Sequence, residues 1–245
     1  MYRIGIDIGS TFTKYCVMCD GEIESLTMER TPVRQKEYFD SKLAELRERY
    51  DNPEIISCGY GKRNIEAVKN INELTALAQG TYFMEREDGL VLDIGGQDTK
   101  IIRQRQGRLQ QFFINDKCAA GSGMFLTGVL DMLGLEFYDL DLTDADEPKA
   151  GLSSVCAVFA QSEIVEMIAG NRGEEEILQA VIWHIFVKAR TLLGKVERGP
   201  VILSGGMSQI KGIGDFAEKA VGRKCRIIEN SAYLAAVGCA SWSSL

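Results

Sequence analysis

The stretch Asp7-Ile8-Gly9-Ser10-Thr11-Phe12-Thr13-Lys14 has a second version further along the chain, Asp93-Ile94-Gly95-Gly96-Gln97-Asp98-Thr99-Lys100. Both share Asp-Ile-Gly and Thr-Lys at one constant offset. Short runs typical of β-strands flank each copy, at 2–6, 15–18, 90–92 and 101–103. The repeat therefore predicts two related halves, each containing a strand, an Asp-Gly turn and a second strand.

Helical patterns alternate with further strands outside the repeat. Helices are predicted at 36–50, 72–81, 121–133, 161–169, 174–196 and 232–241, and strands at 54–57 and 201–203. We expect Pro200 to end the helix that starts at 174. This alternation predicts an α/β protein with two lobes. The charged, turn-forming stretch 85–89 is the expected boundary, which gives lobes of 1–88 and 89–245, with the last helix a candidate to pack back on the first lobe.

The composition indicates a globular protein and disfavours several functions. Hydrophobic residues make up 45% of the 245, and 28 basic residues stand against 35 acidic ones, a net charge of -7. A nucleic-acid binder usually carries a basic stripe, so nucleic acid is not an expected partner. No apolar run is long enough for a membrane span, and the N-terminal sequence lacks a signal-peptide pattern. We therefore expect a cytoplasmic location without membrane insertion.

The two Asp-Gly turns suit a metal-nucleotide complex. Glycines let backbone amides approach phosphate, and an aspartate can hold Mg2+ through water. One such turn alone is a common structural feature. Two aligned copies, together with Ser204-Gly205-Gly206 after a predicted buried strand, favour a polyphosphate site. The chain has neither a Walker A pattern nor a G-x-G-x-x-G that opens a helix.

These three segments resemble the phosphate and adenosine loops of the actin/Hsp70/sugar-kinase superfamily. The resemblance implies two related ribonuclease-H-like lobes around a nucleotide cleft, with ATP or ADP and Mg2+ bound there. It places Asp7 and Asp93 near the metal, through water, and near the attacking water that Gln97 would orient. The implied cofactor-binding residues are Gly9, Ser10, Thr11, Phe12, Thr13, Lys14, Gly95, Gly96, Gln97, Asp98, Gly121, Ser122, Gly205, Gly206 and Met207.

Two of the seven cysteines lie where a loop is predicted to enter a helix, Cys118 in 115–123 and Cys156 before 161–169. Backbone amides and the helix dipole can stabilise a thiolate or an anionic cluster at such a position. A cubane cluster needs four thiolates, so two per chain would require a twofold-related partner. A free cysteine is also often just a small buried residue. His184, the only histidine, lies in an apolar helix and is expected in the core or an interface.

The other cysteines are expected to be structural. Cys16 and Cys19 form a C-x-x-C, but residues three apart on an extended strand point to opposite faces. Single cysteines in apolar surroundings are expected to be packing residues. These are Cys58, Cys225 and Cys239.

The segments 5–11, 59–61, 93–100, 115–123 and 156–160 together resemble the activator ATPases of 2-hydroxyacyl-CoA dehydratases and the related benzoyl-CoA reductase ATPase subunits. That resemblance implies a homodimer in which Cys118 and Cys156 of each chain bind one shared 4Fe-4S cluster. It also implies that ATP hydrolysis drives single electrons from a ferredoxin or flavodoxin to a dehydratase or reductase.

Two other functions are compatible with the sequence. A small-molecule kinase of the same fold would phosphorylate a sugar or acid and would contain no iron. A non-enzymatic ATP-sensing regulator would bind nucleotide with negligible hydrolysis, and its cysteines would be structural.

Overall fold

The computed structural model describes residues 1–242, which form ten strands and seven helices. The strands are β1 (Tyr2–Ile8), β2 (Phe12–Cys19), β3 (Glu22–Arg30), β4 (Glu54–Cys58), β5 (Lys69–Asn70), β6 (Gly89–Ile94), β7 (Thr99–Arg105), β8 (Arg108–Asn115), β9 (Val201–Gly205) and β10 (Cys225–Arg226). The helices are α1 (Gln35–Arg49), α2 (Glu73–Glu85), α3 (Gly123–Leu133), α4 (Ala157–Ala169), α5 (Glu174–Leu193), α6 (Ile213–Val221) and α7 (Leu234–Ala240). None of these helices has the length and apolar character needed to cross a membrane.

The strands form two five-stranded sheets with equivalent strand orders. The first sheet has the order β3-β2-β1-β4-β5, and the second, read from the other edge, is β8-β7-β6-β9-β10. In the first sheet β1 pairs antiparallel with β2 and parallel with β4. In the second, β6 pairs parallel with β9. Each copy of the repeat therefore links a central strand to the neighbouring strand, as the sequence predicts.

The chain divides into two compact units. The first contains 1–89, 102–112 and the segment from 228 onward, and the second contains 90–101 and 113–227. These limits differ from the expected lobes because 102–112 and the C-terminal segment group with the first unit. Two hydrogen-bonded pairs, Gln104 Nε2 to Glu87 O and Arg105 Nε to Asp88 at 3.0 Å, hold 102–112 to the end of the first segment.

Each unit has its own buried core. In the first, Ile4, Ile6 and Ile8 of β1 pack with Phe39 and Leu43 of α1. In the second, the apolar face of α5 packs with residues of β6, β9, α3 and α6. Burying each large apolar side chain contributes about 1.5–3 kcal/mol, so these layers hold the loops at the strand ends in place.

The predicted helices are present, with shifted ends. The helix predicted at 174–196 ends at Leu193 before Gly194, so the prediction that Pro200 ends it is wrong. The helix predicted from 121 starts at Gly123, because 119–121 form a separate 3-10 turn. The helix predicted at 161–169 already starts at Ala157.

Candidate functional site

Asp7 in the first unit is flanked within the sheet by two polar side chains. The register places it opposite Lys14 on β2 and Cys58 on β4. Residues opposite each other on neighbouring strands project from the same face. Lys14 Nζ lies 3.9 Å from Asp7 Oδ2, and the Cys58 thiol donates to Asp7 Oδ1 at 3.6 Å. A cation and a weak donor thus hold the two carboxylate oxygens.

The turn after Asp7 is fixed by its own backbone and by Thr31. Gly9 N donates to Phe12 O at 3.1 Å, and the Thr31 hydroxyl donates to Gly9 O at 2.8 Å. Thr13 is fully buried, and its hydroxyl lies 3.0 Å from that of Thr31. Gly9, Ser10, Thr11, Phe12 and Lys14 keep some exposure. Thr13 is therefore placed to support the turn, and the other five predicted residues can reach a ligand.

Cys58 has a role beyond the expected packing. It is completely buried, and burial, followed by Cys239 and Asp7, raises the pKa of its thiol well above the ordinary value. The thiol therefore stays protonated at neutral pH and can donate to Asp7. The sequence alone did not indicate this contact, because it depends on the pairing of β1 with β4.

Asp93 in the second unit has an equivalent arrangement. Lys100 Nζ lies 2.7 Å from Asp98 Oδ1 and 3.5 Å from Asp93 Oδ2. Only 4% of Lys100 is exposed, so this ion-paired group is largely removed from water. One buried cation between two carboxylates leaves a net negative charge, which suits an incoming Mg2+. Lys100 is a site residue that the predicted set left out, although it is the Thr-Lys lysine of the repeat.

The three residues between Asp93 and Asp98 differ in exposure. Gly95 N donates to Asp98 O at 2.9 Å, which closes the turn. Gln97 is exposed, and its Nε2 lies 3.7 Å from the sulfur of Met124. Gln97 is therefore accessible to a ligand, while the Asp98 carboxylate is engaged with Lys100.

The predicted adenosine loop lies beside the second Asp-Gly turn. In the register of β6 with β9, Asp93 is opposite Ser204 and Ile94 is opposite Gly205. Gly205 has φ +87°, and a β-carbon there would lie 2.1 Å from Ile94 O, so only glycine fits. The position of a β-carbon at Gly206 is open, whereas Met207 is buried in the core. Met207 could therefore contact a nucleotide only through its backbone.

The loops that carry Cys118 and Cys156 meet at one backbone oxygen. The Cys118 thiol donates to Val155 O at 3.7 Å, and Lys188 Nζ donates to the same oxygen at 3.1 Å. Cys156 is exposed and directly precedes α4, as the N-cap residue. The structure therefore brings together the two cysteines that the sequence singled out.

The surroundings of Cys118 differ from the expectation that it lies directly at a helix N-terminus. A 3-10 turn separates it from α3, and Ser122 N donates to Ala119 O at 3.0 Å. The first amides of α3, Gly123 N and Met124 N, donate to Gly95 O and Gly96 O at 2.8 and 2.9 Å. The start of α3 is thus engaged with the second Asp-Gly turn and is not directed at Cys118.

Gly121 and Ser122 are placed as structural residues. Gly121 O accepts from the Thr99 hydroxyl, and Ser122 Oγ donates to Ala119 O at 2.9 Å. Ser122 is 1% exposed. Their contacts tie the Cys118 loop to β7.

Glu163 on α4 holds the segment before Cys156. Its carboxylate accepts from the amides of Ser153 and Ser154 at 2.7 and 2.9 Å, and from both hydroxyls. These bonds, that of the Ser154 hydroxyl first, lower the pKa of Glu163 to about 2. The segment 153–156 is therefore anchored by an ionised carboxylate at neutral pH.

His184 is buried on α5, as predicted. Burial, followed by the nearby Lys188 charge, lowers its pKa. Cys16 and Cys239 are also buried, whereas Cys225 is half-buried. Within residues 1–242, no group of three or more His, Cys, Asp or Glu side chains is arranged to hold a metal ion. Cys118 and Cys156 thus fit half of a four-thiolate set.

Comparison with known proteins identifies the family. A model described as the BadF/BadG/BcrA/BcrD ATPase family matches residues 4–243. The 2-hydroxyisocaproyl-CoA dehydratase activator of Clostridioides difficile is 33% identical over 225 residues, which are 87% of this chain and 84% of that protein. The (R)-2-hydroxyglutaryl-CoA dehydratase activating ATPase of Acidaminococcus fermentans is 30% identical over 255 residues, with 99% and 97% covered.

A solved structure shares the fold. The activator of the 2-hydroxyisocaproyl-CoA dehydratase from Clostridium difficile with bound ADPNP aligns with a TM-score of 0.85 at 29% identity, over 98% of this chain and 93% of that one. The predicted actin/Hsp70/sugar-kinase-like fold is confirmed. Since the family model matches nearly the whole chain, this protein belongs to the BadF/BadG/BcrA/BcrD ATPase family.

Proposed function

We propose that this protein is an ATP-hydrolysing activator that transfers single electrons at low potential to a partner acyl-CoA dehydratase or reductase. One observation carries the proposal. The second Asp-Gly turn is bonded to the start of α3 through Gly95 O and Gly96 O, and the residues just before α3 carry Cys118. A change at the nucleotide can therefore reach a cluster ligand through one short, rigid connection.

ATP is bound, in this proposal, by the two Asp-Gly turns and the Gly205-Gly206 loop. Asp7 and Asp93 hold Mg2+ through water, and Gln97 orients the attacking water. Bound Mg2+ would neutralise phosphate charge as the terminal phosphate leaves. Lys14 and Lys100 keep the two carboxylates in place at 3.9 and 3.5 Å. Phosphoryl transfer depends mainly on positioning and charge, so no histidine base is required.

Cys118 and Cys156 of two chains bind one 4Fe-4S cluster on a twofold axis. The cluster would supply one-electron chemistry when bound. Support comes from an apolar patch beside Cys156, formed by Val155, Val158 and Phe159, which are 73%, 68% and 65% exposed. Large exposed apolar side chains that lie close together mark interaction sites. A second copy of the chain would cover them and complete the ligand set.

The proposed electron donor is a ferredoxin or flavodoxin, and the proposed location is the cytoplasm. Both follow from the family relationship. The relatives named as activators of 2-hydroxyisocaproyl-CoA and 2-hydroxyglutaryl-CoA dehydratases favour a dehydratase as acceptor. A benzoyl-CoA reductase component of Thauera aromatica, 27% identical, keeps a reductase in consideration.

The test is cluster loading of protein purified without oxygen. We expect four irons per dimer, by the stoichiometry of one cubane. Cys118→Ala and Cys156→Ala should each lose most of the iron, while Cys225→Ala, the matched control, keeps it. A double Cys118/Cys156 variant that loads iron like the parent protein would refute the assignment. ATP-dependent phosphorylation of a sugar or acid by iron-free protein would favour a kinase instead.

A further inference from the structure

Lys188 on α5 contacts both cysteine-bearing loops. Its ammonium donates to Val155 O, next to Cys156, at 3.1 Å. Its stem packs on the other loop, since a β-carbon added at Gly121 would lie 3.3 Å from Lys188 Cβ and 3.8 Å from Lys188 Cγ. A single side chain, held by a long helix of the core, thus spans the space between the two loops.

The Val155 oxygen joins the three groups. It accepts from the Cys118 thiol at 3.7 Å as well as from Lys188. A thiol that becomes a thiolate ligand has no proton to donate, so the Cys118 bond is then lost. The Lys188 bond survives, and a bond from a charged donor is stronger than one from a neutral donor.

We propose that Lys188 is a positioning residue that fixes the Cys118 and Cys156 loops relative to each other for joint ligation of the cluster. This inference rests on the proposed function for its purpose, although the contacts themselves do not. The ammonium also places positive charge beside thiolates, which favours their charged form and a higher reduction potential of a bound anionic cluster.

The first measurement uses iron-free protein and needs no activity. Hydrogen exchange of peptides spanning 115–123 and 152–158 is followed in the parent protein and in Lys188→Met, which keeps most of the stem. Losing the bond should speed local exchange about fivefold or more, as expected for one hydrogen bond. Lys188→Arg should restore most of the protection. Arg190→Met, an exposed position on the same helix, is the matched control.

The second measurement is the midpoint potential of the reconstituted cluster. Lys188→Met should lower it, because a positive charge is removed, and Lys188→Arg should not. Lys188→Gln keeps a neutral donor and serves if the Met variant fails to fold. Unchanged exchange in both loops of folded Lys188→Met or Lys188→Gln protein would overturn the inference. Parent protein that takes up no iron would instead refute the proposed function, while the exchange result still decides the role of Lys188.

Discussion

Asp93 combines a buried carboxylate with a buried cation. Its Oδ2 lies 3.5 Å from Lys100 Nζ, and Asp98 holds the same ammonium more closely, at 2.7 Å. Lys100 is therefore anchored mainly by Asp98, which leaves the weaker contact to Asp93. A metal ion can compete for a carboxylate held in this way, whereas it would gain little at Asp98.

Asp93→Asn should reduce ATP hydrolysis strongly. The amide keeps the shape of the side chain but loses the charge that attracts Mg2+, and Lys100 keeps its bond to Asp98. We expect kcat to fall by about 100-fold or more, as for the loss of one charge-stabilising group, with a smaller change in ATP affinity. Phosphate release and nucleotide titration measure the two effects. Asp131→Asn, exposed on α3, is the control, and an unchanged kcat for Asp93→Asn would exclude a catalytic role.

Residue types and spacing predicted much of the site, but not its pairwise contacts. The repeat singled out Asp7, Asp93 and their turns, and family resemblance added Cys118 and Cys156. The contact of Cys58 with Asp7 could not be predicted, because residues 51 positions apart meet only through the pairing of β1 with β4. Lys188 was missed for the same reason: its partners come from other loops.

Helices α2 and α7 approach so closely that only glycine fits at two positions. A β-carbon at Gly80 would lie 1.8 Å from Leu234 O, and one at Gly238 would lie 1.8 Å from Ala76 O. Both neighbours are backbone atoms, so no side chain can rotate away. The contact itself therefore requires the two glycines.

Gly80→Ala and Gly238→Ala should each destabilise the protein by about 2 kcal/mol or more, because the helices must separate and lose packing. Gly128→Ala on α3 is the matched control, since a β-carbon there has open space. Alanine is the better helix former, so the control should be stabilised by up to about 1 kcal/mol. Urea denaturation measures all three variants. Equal stability of the three would contradict the close approach of the helices.

The Glu163 clamp predicts a pH dependence in acid. Its pKa is lowered from 4.5 to about 2, so its stabilising contribution is complete above pH 4.5 and is lost as the pH falls towards 2. Hydrogen exchange at Ser153 and Ser154 should accelerate across this window in the parent protein. Glu163→Gln should exchange faster at neutral pH and show less pH dependence. Glu166→Gln, exposed on the same helix, should behave like the parent, and identical profiles for all three would remove the clamp.

Elements with a strong pattern were predicted, and those that depend on neighbours were not. The helix from Glu174 was clear from its acidic first turn and apolar middle. Edge strand β3 has no fully buried residue, so its alternation of apolar and polar residues was too weak to identify. The nine-residue α6 follows closely after the Gly205 loop, and its short amphipathic pattern was overlooked. Gly194 ends α5 before Pro200 can act.

At the scale of the whole molecule, the proposed dimer depends on the apolar patch of Val155, Val158 and Phe159. Phe159→Glu places a charge on it and should weaken dimerisation by about 100-fold, the effect of losing one central interface residue. Sedimentation at several concentrations measures the association, and iron content should fall with it. Val33→Glu, at a fully exposed apolar residue, is the control. A dimer of unchanged affinity in Phe159→Glu would place the interface elsewhere.

The discontinuous first unit has a consequence for synthesis. The second unit is built from 90–101 and 113–227, all of which can leave the ribosome before 228–242 are made. The strand β1 packs against α7, and a β-carbon at Gly5 would meet Ala236 O at 2.0 Å. The nascent chain must therefore wait with an uncovered N-terminal sheet until translation is almost complete, and chaperones would find their binding site there.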